Sequence, residues 1–546
     1  MSLPLPMIAA RDLAAPLAWR AGQPVSTAQF VAEAEALAEL LPAGRPVNLC
    51  QDRYHFALGL AAALLRGQTS LMPPNALPET LAQLGDGPAP YALVDHDDPV
   101  ALPVHRVERA AGAVPATRVP AIAAGHEAVC LLTSGSTGAP QPHAKRWGPL
   151  VANIAAEAER LAELMGTPSI AGLNIVATVP AQHSYGFEST VLLALLGGAA
   201  FDAGRPFYPA DVAAALARVP RPRALVTTPF HLKTLLLAGV ELPPVDLVLS
   251  ATAPLSPQLA AQAEAAFGGR LVEIYGCTEA GQVAARRTTD GETWAALGAL
   301  RLWREDGADG ERFLVQGGHV TAPTPLADVL ELLSDTRFRL LGRANDLIHV
   351  AGKRSSLAHL NFQLNRIDGI DDGAFWLPDE APDGVVRPIA FVVAPTLDAK
   401  AVVAALRERL EPAFVPRRVI HVDGFPREAT GKLTAQTLAR FAHETLARLD
   451  GTEFAVPVDH PAFAGHFPGH PLLPGVVLLG WVMEALALQP ALAQKLGAAP
   501  AIDQAKFLAP VGPGQRVRVK LADAGRGVAF EVTRGDTVVA RGSLSA

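Results

Sequence analysis

Cysteine is scarce in this 546-residue chain: the three present, Cys50, Cys130 and Cys277, are odd in number and too scattered to draw a disulfide framework or a metal-ligand spacing. A chain of this kind is expected in a reducing cytoplasm. Positive charge is in deficit as well, with 46 Lys and Arg against 53 Asp and Glu and a formal net charge of −7. Phosphate backbones are bound through a basic excess, so nucleic acid is not expected as the main partner. Local pairs such as Arg221/Arg223 and Arg417/Arg418 still leave room for an acidic protein. Long apolar runs are missing too. Phe56–Leu65 and Val191–Phe201 fall short of the roughly 20 residues that cross a bilayer, and no membrane insertion is expected. The first ten residues carry Pro4 and Pro6 and no basic stretch ahead of an apolar core, so they do not read as a signal peptide.

What is present is globular: half of the residues are hydrophobic and 18% are charged. The length calls for two or three cores. Up to about Phe338, helical patterns (Ala32–Leu41, Val151–Leu164) alternate with short apolar strands (Ile175–Val179, Leu225–Thr228). This alternation implies an α/β domain with mostly parallel strands, whose sites gather on loops at the carboxyl ends. A second unit has strands near Phe375–Trp376 and Ile389–Val393 and a helix at Ala401–Leu410. The last has one apolar helix, Pro474–Leu488, then strand-like runs at Arg516–Leu521, Val528–Thr533 and Thr537–Ser543, which suggests α+β with an antiparallel sheet.

The strongest local signal follows an apolar strand. Thr133, Ser134, Gly135, Ser136, Thr137 and Gly138 pack four hydroxyls and two glycines into six residues. Glycines admit close approach of an anion, and N–H and hydroxyl groups donate to phosphate oxygens. No Gly-Lys-Ser/Thr closes the segment, so it is not a Walker A loop. Further on come Ser250-Ala251-Thr252-Ala253-Pro254, Tyr275-Gly276-Cys277-Thr278-Glu279, Asp328, Leu341-Gly342-Arg343 and Pro426-Arg427-Glu428-Ala429-Thr430-Gly431-Lys432.

In this order the motifs resemble the ANL superfamily of adenylate-forming enzymes, which includes acyl- and aryl-CoA synthetases, luciferases and peptide-synthetase adenylation domains. The resemblance covers roughly residues 1–440. It implies a pyrophosphate loop at Thr133–Gly138 and an adenine-side loop at Ala251, Thr252 and Ala253. It puts Tyr275 and Gly276 beside the nucleotide, Thr278 on the AMP phosphate and Glu279 on Mg²⁺. Asp328 and Arg343 would hold the ribose, and Lys432 would drive adenylation. Carboxylate attack on an α-phosphate brings negative charge together, so catalysis rests on positioning and neutralisation. Two positions depart from the family: Gln141 stands where a lysine is usual, with His143, Lys145 or Arg146 as alternative charges, and Asn345 stands at the hinge. The resemblance also implies a small domain that swings between an adenylating and a thiolating pose.

For the acid, the loop from Pro180 to Phe187 carries His183, placed to orient a carboxylate or a ring. Thr227, Thr228, His231, Ser250 and Gly276 line up as further contacts. A few hydroxyls in an apolar cleft suit a hydroxylated aromatic acid, and they suit a short hydroxyacyl chain as well.

The run from Phe463 to Val476, with Lys506–Gly514, resembles the hotdog-fold 3-hydroxyacyl-acyl-carrier-protein dehydratases. There the histidine matching His466 is the base, and it works with a glutamate on the central helix of the partner subunit. In this chain the glutamate position is Gly480, and Glu484 follows one helical turn on. A one-turn shift is a serious obstacle to acid–base work, which needs the second group within hydrogen-bond reach, so dimerisation with carrier docking, or altered chemistry using His466 alone, is expected rather than dehydration.

The expected architecture is an α/β ANL large domain (1–341), a small mobile α+β domain (342–440), a linker (441–451) and an α+β hotdog domain (452–546). The expected activity uses ATP and Mg²⁺ to activate an aromatic, hydroxybenzoate-like acid and pass it to the phosphopantetheine thiol of an acyl carrier protein. The narrower resemblance is to hydroxybenzoate:carrier-protein ligases of aryl polyene and xanthomonadin pigment biosynthesis. Two alternatives stand beside it: an acyl-CoA synthetase for a medium-chain or hydroxy fatty acid, and a degenerate dimeric scaffold that docks carriers.

Overall fold

The fold comes from a computed structural model that describes residues 3–84, 87–110, 112–134, 140–307, 310–343, 347–350, 353–378, 387–427, 433–464, 471–487, 489–497, 500–525 and 527–546. Two compact units emerge, one holding Met1–Gly424 and the other Leu433–Ala546. Among the described residues no helix is long and apolar enough to cross a membrane.

Two sheets carry most of the first unit. A six-stranded sheet runs in the order Pro140–Arg146, Glu127–Ser134, Ser70–Met72, Arg45–Asn48, Pro90–Val94, Val104–Arg106. Only its first pair is antiparallel. Pro140 and Pro142 lack an N–H to give to a ladder, and their strand accordingly lies at the sheet edge. An eleven-stranded sheet has a parallel centre: Pro16–Arg20, Ala200–Asp202, Asn174–Ala177, Arg223–Thr227, Leu247–Ser250 and Arg270–Cys277 lie side by side. These strands are short apolar runs, as expected where both faces are covered.

Four helices start where a side chain caps them. Ser26, Asp52, Thr228 and Ser256 accept from backbone N–H groups of the first turns of Thr27–Leu40, Arg53–Leu65, Pro229–Leu237 and Pro257–Phe267. The helix Trp147–Met165 ends at Gly166, whose φ of 71° is the left-handed C-cap geometry. Phe30, Phe56, Trp147, Phe187 and Phe201 are fully buried in the main core.

Past Cys277 the expectation of mostly parallel strands does not hold. Gly281–Arg287, Trp294–Ala296, Arg337–Arg343 and Asp328–Leu332 extend the large sheet with antiparallel pairs. Arg301–Gly307, Gly310–Gly317 and Val320–Leu326 form a separate antiparallel sheet. The connections there are too short to hold a crossover helix, which parallel pairing requires. The strands Asp372–Trp376, Ile389–Val393 and Val419–His421, with helices Leu357–Leu364 and Ala399–Arg407, enclose their own core around Phe375, Leu360 and Leu406.

The second unit is one antiparallel five-stranded sheet: Thr452–Ala455, Arg516–Asp523, Val528–Arg534, Thr537–Ser545, Ala501–Phe507. Alternation decides its faces: Val517, Val519 and Leu521 point inward while Arg516, Arg518 and Lys520 are exposed. The helix Gly475–Ala487 covers the apolar face with Leu478, Val482, Ala485 and Leu486. Residues 441–451, expected as a linker, lie almost wholly within the helix Ala435–Asp450. Its buried Leu438, Ala442 and Thr445 recur at helical spacing, so the segment has an apolar stripe to bury.

Candidate active site

The carboxyl ends of neighbouring parallel strands bring the sequence motifs together. Asn174–Ala177, Arg223–Thr227, Leu247–Ser250 and Arg270–Cys277 are adjacent in that order, and they deliver Thr178, Thr227, Ser250 and the Thr278-Glu279 turn to one edge. Within the Tyr275–Glu279 motif, Gly276 is needed sterically: a Cβ there would meet the Gly281 carbonyl oxygen at 2.4 Å. Thr252, exposed in the loop after the strand Leu247–Ser250, holds a φ of 79°. Left-handed backbone is costly for a β-branched residue and marks a position fixed by its surroundings.

Tyr275 and Asp328, 53 residues apart, are brought into contact. The Tyr275 hydroxyl donates to Asp328 Oδ2 at 2.7 Å, and its ring packs against Trp294 and Phe338 at centroid distances of 5.8 and 5.6 Å. Asp328 also lies opposite Arg343 in the antiparallel register. The result is an aromatic wall with a carboxylate at its edge.

Glu279 is reached by the edge strand Pro140–Arg146. Lys145 Nζ donates to the Glu279 carbonyl oxygen at 2.8 Å, and His143 Nε2 lies 3.8 Å from Glu279 Oε1. The Glu279 side chain remains 48% exposed, open to a ligand. Behind this turn sits Glu188, 2% exposed, in a π-helical turn over Phe187–Leu192. Ser184 Oγ donates to it at 3.2 Å and Asn153 Nδ2 at 3.3 Å. Burial raises the Glu188 pKa, opposed first by the Lys145 charge. Burial lowers that of Lys145, opposed first by Glu188.

At the neighbouring strand ends, Thr178 Oγ1 lies 2.9 Å from Thr227 Oγ1 and 3.2 Å from His231 Nδ1. Burial lowers the His231 pKa, so the ring is neutral near pH 7. Its Nε2 and the Ser250 hydroxyl are buried and have no partner among the described residues. The Tyr185 hydroxyl donates to the Leu249 carbonyl at 2.8 Å, at the end of the adjoining strand. His183 is exposed and is the N-cap residue of the short helix Ser184–Gly186.

Several contributors had no motif to announce them. Arg53 is fully buried, and its guanidinium donates to the carbonyls of Val179 and Gly204, both at 2.7 Å. It thereby ties the strand end at Val179 to that at Gly204, and burial lowers its pKa to about 10. Glu157 is also buried, accepts from Ser189 Oγ at 2.8 Å, and has its pKa raised by burial to about 8. The signal for Glu188 was available: it is a lone charge in the run from Phe187 to Leu196.

Gly135, Ser136, Thr137, Gly138, Lys432, His466 and the hinge Asn345 lie outside the described residues. For Thr133, Ser134 and Arg343 the backbone alone is described, as strand. In the second unit, Gly480 and Glu484 are exposed on the helix Gly475–Ala487, and a Cβ at Gly480 would meet nothing within 4 Å.

Known proteins share both parts. Residues 25–301 match the family described as AMP-binding enzyme, and residues 447–543 match the ApeI-like family, described as ApeI dehydratase. A 4-coumarate--CoA ligase of Rhodobacter capsulatus is 33% identical over 292 residues, which are 53% of this chain and 69% of that protein. A 3-hydroxyacyl-[acyl-carrier-protein] dehydratase FabZ of Geotalea uraniireducens is 39% identical over 72 residues, 12% of this chain and 50% of that one. Among solved structures, ATP-bound MatB from Rhodopseudomonas palustris has the same fold, with a TM-score of 0.64 at 20% identity over 79% of this chain and 96% of its own. The chain thus belongs to the AMP-binding enzyme family, as an ATP-dependent, AMP-forming acid–thiol ligase of ANL fold followed by a hotdog-like dehydratase-type unit.

Proposed function

We propose that the acid is aromatic and hydroxylated, of the hydroxybenzoate class, and that the thiol belongs to the phosphopantetheine arm of an acyl carrier protein. The observation that carries the substrate half is the buried hydroxyl and imidazole group of Thr178, Thr227, His231 and Ser250. Two of its polar atoms, His231 Nε2 and Ser250 Oγ, have no partner among the described residues. Buried polar atoms penalise a ligand that cannot pair with them, which favours a ring bearing a hydroxyl over a plain chain.

The nucleotide fits the same edge. The wall of Tyr275, Trp294 and Phe338 suits an adenosine, and Asp328, held by Tyr275, suits the two ribose hydroxyls together with Arg343. Ala251, Thr252 and Ala253 would border the base, Thr133–Gly138 the leaving pyrophosphate, and Thr278 the α-phosphate. Mg²⁺ fits Glu279, a half-exposed acceptor-only carboxylate, because this ion is commonly held by one or two carboxylates plus substrate phosphates. Bound there, the ion would neutralise phosphate charge. His183 would orient the acid beside Gly276, and Lys432 would approach the reacting carboxylate.

The carrier preference rests on the second unit, whose relatives act on carrier-bound substrates by name. With Gly480 at the expected glutamate position, His466 and Glu484 form no matched acid–base pair, and the unit serves docking and homodimerisation. The edge strand Ala501–Phe507, with Ile502 and Phe507 exposed, is the natural face for a second copy. A cytoplasmic site of action completes the proposal.

CoA as acceptor is the second reading, favoured by the 4-coumarate--CoA ligase relative. ATP–pyrophosphate exchange over a panel of aromatic and fatty acids tests the substrate, and exchange with fatty acids alone would overturn the aromatic assignment. Comparing CoA with holo-carrier protein tests the thiol, and transfer to CoA at an equal or higher rate would overturn the carrier assignment. Loss of exchange in Lys432→Ala is expected.

A further inference from the structure

Three neighbouring strand ends converge on one imidazole. Arg223–Thr227, Asn174–Ala177 and Ala200–Asp202 lie side by side in that order, and the segments that follow the outer two meet at the end of the middle one. From one side comes His231, whose Nδ1 lies 3.2 Å from Thr178 Oγ1 and 3.4 Å from Thr228 Oγ1. From the other comes Phe207, its ring in an edge arrangement with the imidazole at a centroid distance of 5.2 Å and an interplanar angle of 85°. Phe230 stands 5.8 Å from the same imidazole, and Tyr208 stands 5.4 Å from Phe207. Burial is inverted here. His231 is 7% exposed and its Nε2 has no partner among the described residues, whereas Phe207, Phe230 and Tyr208 are 51%, 41% and 67% exposed. Aromatic rings left in water around a buried, unpaired polar atom are poorly arranged for stability alone and mark a place that a ligand completes.

The segment that carries Phe207 is short and pinned at both ends. The Gly204 carbonyl accepts from Arg53 Nη1 at 2.7 Å and the Gly204 N–H donates to Asp202 Oδ1 at 3.0 Å, while the Tyr208 carbonyl accepts from the Val212 N–H at 3.0 Å. Only residues 205–207 lie between the pinned points, so the backbone holds the Phe207 ring beside His231. We propose that Phe207 is a specificity-determining residue for the acid: its ring seals His231 Nε2 from water, moves aside as the acid enters and packs on the acid's ring. The proposal rests on the reading that the group of Thr178, Thr227, His231 and Ser250 receives the acid. A phenolic hydroxyl both donates and accepts, so it pairs with Nε2 in either tautomer of the imidazole. With water sealed out, a plain ring leaves Nε2 unpaired, and that difference separates the two kinds of acid. Phe207 takes no part in the transfer of the acyl group.

The test is ATP–pyrophosphate exchange by the full chain with 4-hydroxybenzoate, 3-hydroxybenzoate and benzoate, read as ratios of kcat/KM. The wild type is expected to prefer one of the hydroxylated acids over benzoate by about tenfold or more, the scale of a buried polar atom left unpaired. In Phe207→Ala the space of the lost ring admits a water that pairs with Nε2 beside benzoate, and the preference is expected to fall about tenfold, with the change carried by KM. Phe207→Leu keeps an apolar cover and should keep most of the preference. His231→Phe removes the atom and the preference together, and adding Phe207→Ala to it should change the ratio no further. Phe207 is half exposed, so its substitution should leave the fold intact. An unchanged ratio in Phe207→Ala, or a further fall in the double variant, would overturn the role of Phe207, while loss of preference in His231→Phe keeps the reading of the acid site. If the wild type shows no preference, or His231→Phe keeps it in full, the group does not receive the acid, and reading and proposal fall together.

Discussion

Glu157 should make the stability of the first unit depend on pH, a contribution that one substitution removes. The carboxyl is fully enclosed, its pKa raised by burial to about 8 from an ordinary 4.5. Burial, the largest cause, outweighs the hydrogen bonds that the carboxyl accepts from Ser189 and Gln282. Below pH 4.5 native and unfolded chains both carry the proton, and ionisation costs nothing. Between there and pH 8 the native state keeps a proton that the unfolded state has lost, so stability falls as pH rises. The slope is about 1.4 kcal/mol per pH unit, which gives an upper bound of about 5 kcal/mol over the window.

Glu157→Gln keeps the shape and an N–H donor and removes the titration. Urea unfolding followed by tryptophan fluorescence, with Trp147 at the start of the same helix, should show near-equal stability at pH 5. By pH 8 the variant should lead by several kcal/mol. Glu188 and Glu273 are also shifted upward by burial, so the wild-type curve declines for more than one reason. The difference between the two proteins isolates Glu157. Parallel curves across the window would refute the assignment of a neutral Glu157.

Tyr275→Phe keeps the packing on Trp294 and Phe338 but removes the bond to Asp328; ATP affinity should fall about tenfold by calorimetry, with unfolding unchanged. Arg53→Met leaves the Val179 and Gly204 carbonyls unpaired, and a loss of about 2–4 kcal/mol is expected in urea unfolding. Thr252→Gly relieves left-handed backbone and should add about 1 kcal/mol of stability, while raising KM for ATP as the loop slackens.

The parallel half of the large domain was legible because its strands are short apolar runs that end at polar loops, as Asn174–Ala177 and Arg223–Thr227 do. The C-terminal sheet was legible for a different reason: Arg516–Asp523 alternates charge with valine and leucine. Ala501–Phe507 escaped notice because an exposed edge strand has no inward face to impose a pattern. Residues 441–451 read as a linker because the charged face of the helix Ala435–Asp450 dilutes its stripe of Leu438, Ala442 and Thr445. At the candidate site, motifs pointed to Tyr275, Glu279 and Asp328 but not to the contacts that hold them. Arg53 acts on main-chain carbonyls, and such contacts leave no spacing in the sequence.

Among the described residues the edge strand Pro140–Arg146 pairs with a strand on one side only, and from it His143 and Lys145 meet the Glu279 turn. Because that row of side chains repeats every two residues, an even step keeps a side chain on the same face while moving it roughly 7 Å along the strand. An odd step would send it to the opposite face. A lysine at 143 would therefore still face the Glu279 turn, from a shifted position, whereas one at 142 or 144 would face away from it.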